Sequence, residues 1–260
     1  MSYIPLSAGP KRALVTGAGA RLGRAMALSL GADGWAVAVH YRRSEAGAQA
    51  TVRDIEAAGG RAVAVQADLS VEAETAELVA AAQAALGGPL TLLVNSASSF
   101  VDDTALSHSR AEWDLHMEAN LRAPIFLAQQ LAQALPEHTA GLVVNLLDTR
   151  VLKVNPKFFT YTVAKCALWV ATRTLAQALA PNIRVNGIGP GPTLVNIYQT
   201  AEEFDAEKAT TLTGRGSNPG EIARALQYLV HAESVTGQMI ASDGGQHLMW
   251  QTPDLLHQGQ

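Results

Sequence analysis

The octapeptide Thr16-Gly17-Ala18-Gly19-Ala20-Arg21-Leu22-Gly23 is the most informative stretch of this chain. It follows a short apolar run, Ala13–Thr16 (ALVT). It precedes a segment, Arg21–Gly34, in which Leu22, Ala25, Met26, Leu28 and Leu30 recur at helical spacing. A glycine-rich turn between a strand and a helix is where the pyrophosphate of a dinucleotide binds. Gly17 lets the chain turn sharply, and Gly23 lets the helix approach the sheet. The helix start then points its free N–H groups at phosphate. The alternative reading is a plain strand-to-helix turn.

Outward from that turn, strands and helices alternate almost to the end. Further strands are predicted at Trp35–Tyr41, Arg61–Gln66, Leu90–Asn95, Leu142–Leu147, Ile183–Ile188 and Gln238–Ser242. Between them lie a helix capped by Ser44 and running to Ala58, a helix over Val71–Leu86, and one from Ser109 to about Leu135. Phe158–Leu179 and Pro219–His231 complete the set. The strands read as continuous apolar runs, the pattern of strands buried on both faces. Strict alternation implies parallel strands joined by right-handed crossovers. The fold class is therefore α/β, a doubly wound sheet of about seven strands in one domain over residues 1–260. The irregular stretch Pro190–Gly220 exceeds an ordinary loop and reads as a substrate lid. Met249–Gln260 forms a tail, either frayed or reaching a neighbouring subunit.

Composition narrows the function classes. Of 260 residues, 48% are apolar and only 16% charged, which suits a folded globular chain rather than a disordered one. A net charge of −4 argues against the usual basic nucleic-acid binder. The single cysteine, Cys166, makes neither an internal disulfide nor a cysteine-based zinc site, which points to a reducing, cytoplasmic setting. No stretch reaches the ~18 uninterrupted apolar residues of a membrane span, and Met1–Arg12 lacks the apolar core of a secretory signal. The seven histidines show no metal-ligand spacing. Trp113, Trp169 and Trp250 read as packing or interface residues.

At the end of the second strand the chain reads His40-Tyr41-Arg42-Arg43-Ser44, without the acid that would bind a ribose 2′-hydroxyl. Two arginines and a hydroxyl suit a 2′-phosphate, so the expected cofactor is NADP. The alternative is a charged surface loop.

Tyr161 and Lys165 lie four apart on the predicted Phe158–Leu179 helix, on one face and one turn from each other. A neighbouring ammonium should lower the phenol's proton affinity and let the pair move protons near neutral pH.

These residues together resemble the short-chain dehydrogenase/reductase family, with its Thr-Gly-x-x-x-Gly-x-Gly turn and Tyr-x-x-x-Lys pair. The resemblance runs from Arg12 to Leu248 and implies a Rossmann fold and a dehydrogenase or reductase activity. It implies that Asp68 and Leu69 contact adenine. It implies too that Asn95-Ser96-Ala97 and Pro190-Gly191-Pro192-Thr193 meet the cofactor, and that Asn120 is a catalytic residue holding a water for proton relay. Asp243-Gly244-Gly245 matches the family's carboxy-terminal turn.

Four departures point to one branch. The family's middle glycine is Arg21, and its usual catalytic serine, thirteen residues before Tyr161, is Asp148. The His40–Ser44 run and Asn95-Ser96-Ala97-Ser98-Ser99-Phe100 are similar to pteridine reductases. In that branch the arginine touches the cofactor phosphates and the pterin, the phenylalanine stacks on the substrate ring, and the aspartate occupies the serine position. The resemblance thus implies NADPH-dependent reduction of a pterin or dihydropterin. Tyr161, Lys165, Asp148 and Asn120 would be catalytic, and Arg21, Ser98, Phe100, Asp148 and Tyr161 would contact substrate. Blander readings are a solvated Arg21, a core Phe100, and an Asp148 that only caps the next turn. A homo-tetramer is also implied. The alternative functions are a carbonyl reductase acting on a small ketone or 3-oxoacyl group, and a non-catalytic NADP-binding regulator.

Overall fold

The computed structural model describes residues 5–251. Seven parallel strands form one sheet: β1 (Arg12–Val15), β2 (Ala36–Tyr41), β3 (Arg61–Gln66), β4 (Leu92–Asn95), β5 (Gly141–Leu146), β6 (Ile183–Pro190) and β7 (Met239–Ser242). Their spatial order is β3-β2-β1-β4-β5-β6-β7. The expected doubly wound architecture is thus present.

The pleat explains why these strands read as unbroken apolar runs. Ala13 and Val15 of β1 face one core layer and Leu14 the other. Leu92, Val94 and Leu93 of β4 divide in the same way. One layer is closed by α1 (Arg21–Ala32), α2 (Glu45–Ala57) and α8 (Pro219–His231), through Met26, Leu30, Ile55, Ile222 and Leu226. The opposite layer is closed by α3 (Glu72–Leu86), α5 (Ala123–Ala134) and α6 (Phe159–Ala178), with Leu78, Leu127 and Leu131 at its centre. Burying each such side chain contributes about 2 kcal/mol.

Strand order reverses between β1 and β4, so the loops leaving their carboxyl ends diverge and open a crevice there. The candidate site described below is built around that edge.

Three local readings change. Ser44 precedes α2, but its side chain makes no capping hydrogen bond. The long helix expected from Ser109 to Leu135 is not continuous. It comprises α4 (Arg110–Met117), a π turn at Glu118–Arg122, and α5. The supposed lid loop contains α7 (Ala201–Ala209), started by a capping box in which Thr200 accepts from the Glu203 amide. The end of the tail, residues 252–260, lies outside the described residues. No helix among the described residues is long and apolar enough to cross a membrane, and none of them forms a metal-ligand cluster.

Candidate active site

A cavity of about 1030 Å³ opens over the carboxyl ends of the strands. Gly17, Arg21, Leu22, His40, Arg42, Asp68 and Leu69 line one end. Ser96, Ala97, Ser98, Phe100, Asp148, Tyr161, Lys165, Pro190, Gly191 and Thr193 line the rest. Tyr41, Arg43, Ser44, Asn95 and Asn120 do not line it.

The glycine turn is built to let something approach the backbone. Gly17 has φ +66°, and a Cβ there would stand 2.9 Å from Ala97 Cα. A Cβ on Gly23 would lie 2.3 Å from the Gly17 carbonyl oxygen. The Thr16 hydroxyl accepts from the amides of Ser96 and Ala97 at 2.9 and 3.0 Å, tying the end of β1 to the loop after β4. This close-packed turn, with α1 starting behind it, fits a dinucleotide phosphate.

His40 does not serve as a phosphate contact. It is 1% exposed, and its Nδ1 accepts from the Gly17 amide at 3.0 Å. Its Nε2 therefore carries the hydrogen and donates to the Ala67 carbonyl at 3.0 Å. Burial lowers its pKa to about 4, so it is neutral and pins the glycine turn. Tyr41 packs against the core, and the cations left at this end are Arg42 and Arg43. Arg42 lies 3.9 Å from Asp68. Burial opposes ionisation of Asp68, but the Ser70 hydroxyl and amide outweigh it and hold the carboxyl below its ordinary range. No carboxylate follows β2 directly, an arrangement that accepts a 2′-phosphate.

Arg21 has φ +51°, a left-handed conformation at the position where the family carries glycine. Such a backbone costs an arginine about 1–2 kcal/mol. Its guanidinium crosses the cavity and donates to the carbonyls of Val195 and Leu194 at 3.0 and 3.4 Å. No carboxylate of the protein pairs with it among the described residues.

The catalytic end has a carboxylate where a hydroxyl is usual. Tyr161 Oη donates to Asp148 Oδ2 at 2.9 Å. Asp148 Oδ1 accepts from the Arg150 amide at 2.8 Å, so the aspartate both caps its turn and holds the tyrosine. Lys165 Nζ is buried, donates to the Leu146 carbonyl at 2.8 Å, and sits 5.7 Å from the Tyr161 ring centre. The expectation that Lys165 would lower the tyrosine pKa is overturned here. Burial and the adjacent Asp148 carboxylate push Tyr161 well above its ordinary value. Burial also raises Asp148, against the restraint of Arg150, Tyr161 and Lys165. Burial brings Lys165 down to about 8, opposed by Asp148. The protein alone therefore keeps the phenol protonated, a proton donor rather than a phenolate.

Two asparagines have their side chains engaged by neighbouring loops and strands. Asn95 Nδ2 donates to Asn145 Oδ1 and the Pro124 carbonyl, inside the core. Asn120 is fully buried on the π turn. Its Oδ1 accepts from the Ser99 amide and the Ser98 hydroxyl, and its Nδ2 donates to the Ser99 carbonyl. It thus clamps the Ser98–Ser99 segment before Phe100. The Thr193 hydroxyl donates to the Gly191 carbonyl at 2.9 Å.

Several neighbours carry no sequence signal. Phe158, left-handed at φ +53°, stacks on Phe100 with centroids 4.2 Å apart. Phe100 meets Tyr161 edge-on at 4.8 Å. Tyr198, from the segment before α7, completes the aromatic group at 6.0 Å. The Arg150 guanidinium lies 5.0 Å over the Phe158 ring.

Comparison with known proteins identifies the family. The family described as enoyl-(acyl carrier protein) reductase matches residues 17–247. The crystal structure of FolM alternative dihydrofolate reductase 1 from Brucella suis in complex with NADP is similar at 46% identity and a TM-score of 0.90. That match covers 94% of this chain and 97% of the other. A 3beta-hydroxysteroid dehydrogenase 1 from Eggerthella lenta is 35% identical over 92% of this chain and 94% of its own length. A 3-oxoacyl-[acyl-carrier-protein] reductase from Synechocystis is 30% identical over 90% of this chain and 95% of its own. By these matches the chain belongs to the short-chain dehydrogenase/reductase family of oxidoreductases.

Proposed function

We propose that this protein is an NADPH-dependent reductase of a pterin or dihydropterin ring. The carrying observation is the Tyr161–Asp148 hydrogen bond of 2.9 Å, beside Phe100. Asp148 accepts the only hydrogen of the tyrosine hydroxyl, and as a carboxylate it cannot donate to a carbonyl. A ketone offers only acceptors to that pair. An amino-substituted heterocycle offers N–H donors, which Asp148 accepts through its remaining lone pairs. Phe100 gives the flat ring an aromatic surface.

The cofactor is NADP, and the resemblance to the NADP-bound Brucella protein supports this. When bound, it supplies the hydride. The chain's own groups do the rest. The amides around Gly17 and the arginines Arg42 and Arg43 would hold its phosphates, with Asp68 and Leu69 at the adenine end. Ser96, Ala97, Pro190, Gly191 and Thr193 would line the path to the nicotinamide, and Lys165 would reach its ribose. Arg21, Ser98, Phe100, Asp148 and Tyr161 would contact the substrate; a ring N–H taking the place of the tyrosine hydrogen on Asp148 would free the Tyr161 hydroxyl to donate a proton. Burial and the Asp148 charge hold the proton affinity of Tyr161 well above its ordinary value, so the carboxylate orients the hydroxyl without stripping it. The protein would act as a single cytoplasmic domain in a homo-tetramer. The lone cysteine supports the first expectation and the family resemblance the second.

The 3-oxoacyl relative favours a second reading, reduction of a small ketone or 3-oxoacyl group. NADPH oxidation, followed by absorbance with dihydropterins, dihydrofolate and a ketone panel, separates the two. Pterin-dependent turnover that falls about a hundredfold or more in Tyr161→Phe and sharply in Asp148→Ala is expected. Turnover with ketones alone refutes the pterin reading. NADPH binding without turnover of any substrate points to a regulator.

A further inference from the structure

A second ordered histidine stands in the same cavity, and the chemistry above does not use it. Asp243, 2% exposed, follows β7. Its Oδ1 accepts from the Gly245 amide at 2.9 Å. Its Oδ2 accepts from the Thr149 hydroxyl at 2.6 Å and the His247 amide at 2.9 Å, and lies 2.6 Å from His247 Nδ1. Burial pushes this carboxyl up, but those four donors outweigh it and keep it ionised. An ionised carboxylate only accepts, so Nδ1 must carry the imidazole hydrogen. The tautomer is thereby fixed, and in the neutral ring Nε2 is an acceptor. His247 lines the cavity, and Nε2 makes no hydrogen bond with any described residue.

The surroundings assign that acceptor to one part of the substrate. Gln246, beside His247, donates to Glu207 of α7 at 2.9 Å, and Glu207 also accepts from Gln199 at 2.8 Å. These belong to the lid side of the cavity, whereas Phe100 and Asp148 come from the carboxyl ends of β4 and β5. The turn Gln246–Leu248 packs on the turn Thr149–Val151, which follows Asp148. A ring held by Phe100 and Asp148 would direct its substituent towards His247.

We infer that His247 is a specificity-determining residue whose Nε2 accepts a hydrogen bond from a hydroxyl on the substrate's side chain. The inference rests on the pterin reading above. A substituent without a donor would strip water from Nε2 and return nothing, which is the physical basis of discrimination. Asp243 is the positioning residue. It fixes the ring through Nδ1 and ties it through Thr149 to the turn that carries Asp148.

The test compares two dihydropterins, one with a hydroxylated three-carbon side chain and one with a methyl group, on the full chain and on His247→Phe and His247→Gln. Phenylalanine keeps the ring and removes the acceptor. Glutamine returns a polar acceptor of similar reach. The expected result is a KM raised about tenfold for the hydroxylated substrate in His247→Phe. The methyl substrate should lose nothing and bind as well or somewhat better, with kcat little changed and much of the effect on the hydroxylated substrate recovered in His247→Gln. NADPH affinity, read by fluorescence titration, should match in all three proteins and shows that the variants are folded. Equal effects on both substrates, or none, with a wild-type protein that reduces them, overturn the inference alone. A wild-type protein that reduces neither overturns the pterin reading, and the inference with it.

Discussion

Replacing Arg21 by glycine should leave the protein about as stable as before while removing much of its activity on pterins. Arg21 holds φ +51° at the start of α1. Relieving that left-handed backbone returns about 1–2 kcal/mol. Against this stands the extra freedom glycine gains on unfolding, about 0.5–1 kcal/mol. The two exposed hydrogen bonds to Leu194 and Val195 contribute on the order of 1 kcal/mol together. The sum lies within about 1 kcal/mol of zero. Alanine keeps its Cβ in the same strained conformation and loses the same bonds, so Arg21→Ala should be less stable than Arg21→Gly by about 1 kcal/mol. In an ordinary helix position alanine is the more stable, by a similar amount. On the proposed pterin reading both variants lose a charge-assisted contact to substrate, so kcat/KM for a dihydropterin should fall about 10- to 100-fold. Urea unfolding of the free protein and steady-state kinetics measure the two effects separately. An alanine variant more stable than the glycine variant would refute the strain argument. Full kcat/KM in Arg21→Gly would refute the assigned contact.

Two further outcomes follow from the glycine turn. Unfolded His40 takes up a proton near pH 6.5, the folded residue only near 4, so its contribution is complete above pH 6.5 and is lost as pH falls towards 4. That shift corresponds to about 3 kcal/mol, and urea-measured stability in His40→Gln should lose this part of the acid slope; an unchanged slope would assign the acid sensitivity elsewhere. Gly17→Ala forces a Cβ to 2.9 Å from the Ala97 backbone at φ +66°. NADPH affinity by fluorescence titration should drop at least about tenfold, because a loss of ~1.4 kcal/mol suffices; wild-type affinity in this variant would show that the turn does not cradle the cofactor.

The sheet was legible because each strand is covered on both faces, so burial writes itself as an unbroken apolar run. Tyr161, Lys165 and Asp148 were legible because their spacing and their elements can be read together. The role of His40 was not. Its neighbours in sequence are cations, while its partners, Gly17 and Ala67, come from other loops. Asn120 turns inward through a π turn that helical periodicity does not foretell. The proton affinity of Tyr161 depends on burial and on Asp148 outweighing the nearby lysine, a balance of distances and not of residue types. Helix α7 did leave a signal, the Thr200–Glu203 capping box, but it lacks a strong apolar stripe. His247 left none, since a lone histidine after a glycine pair has no spacing to recognise.

The segment after β7 is bonded to the cavity wall through Thr149 to Asp243, Gln246 to Glu207, and Lys153 to the Met249 carbonyl at 2.7 Å. The proton-handling groups come from β5 and α6 instead. Selection on which molecules enter and selection on what is done to them can therefore act on different stretches of the gene. Swapping the last strand's successor residues between relatives would transplant preference without transplanting chemistry.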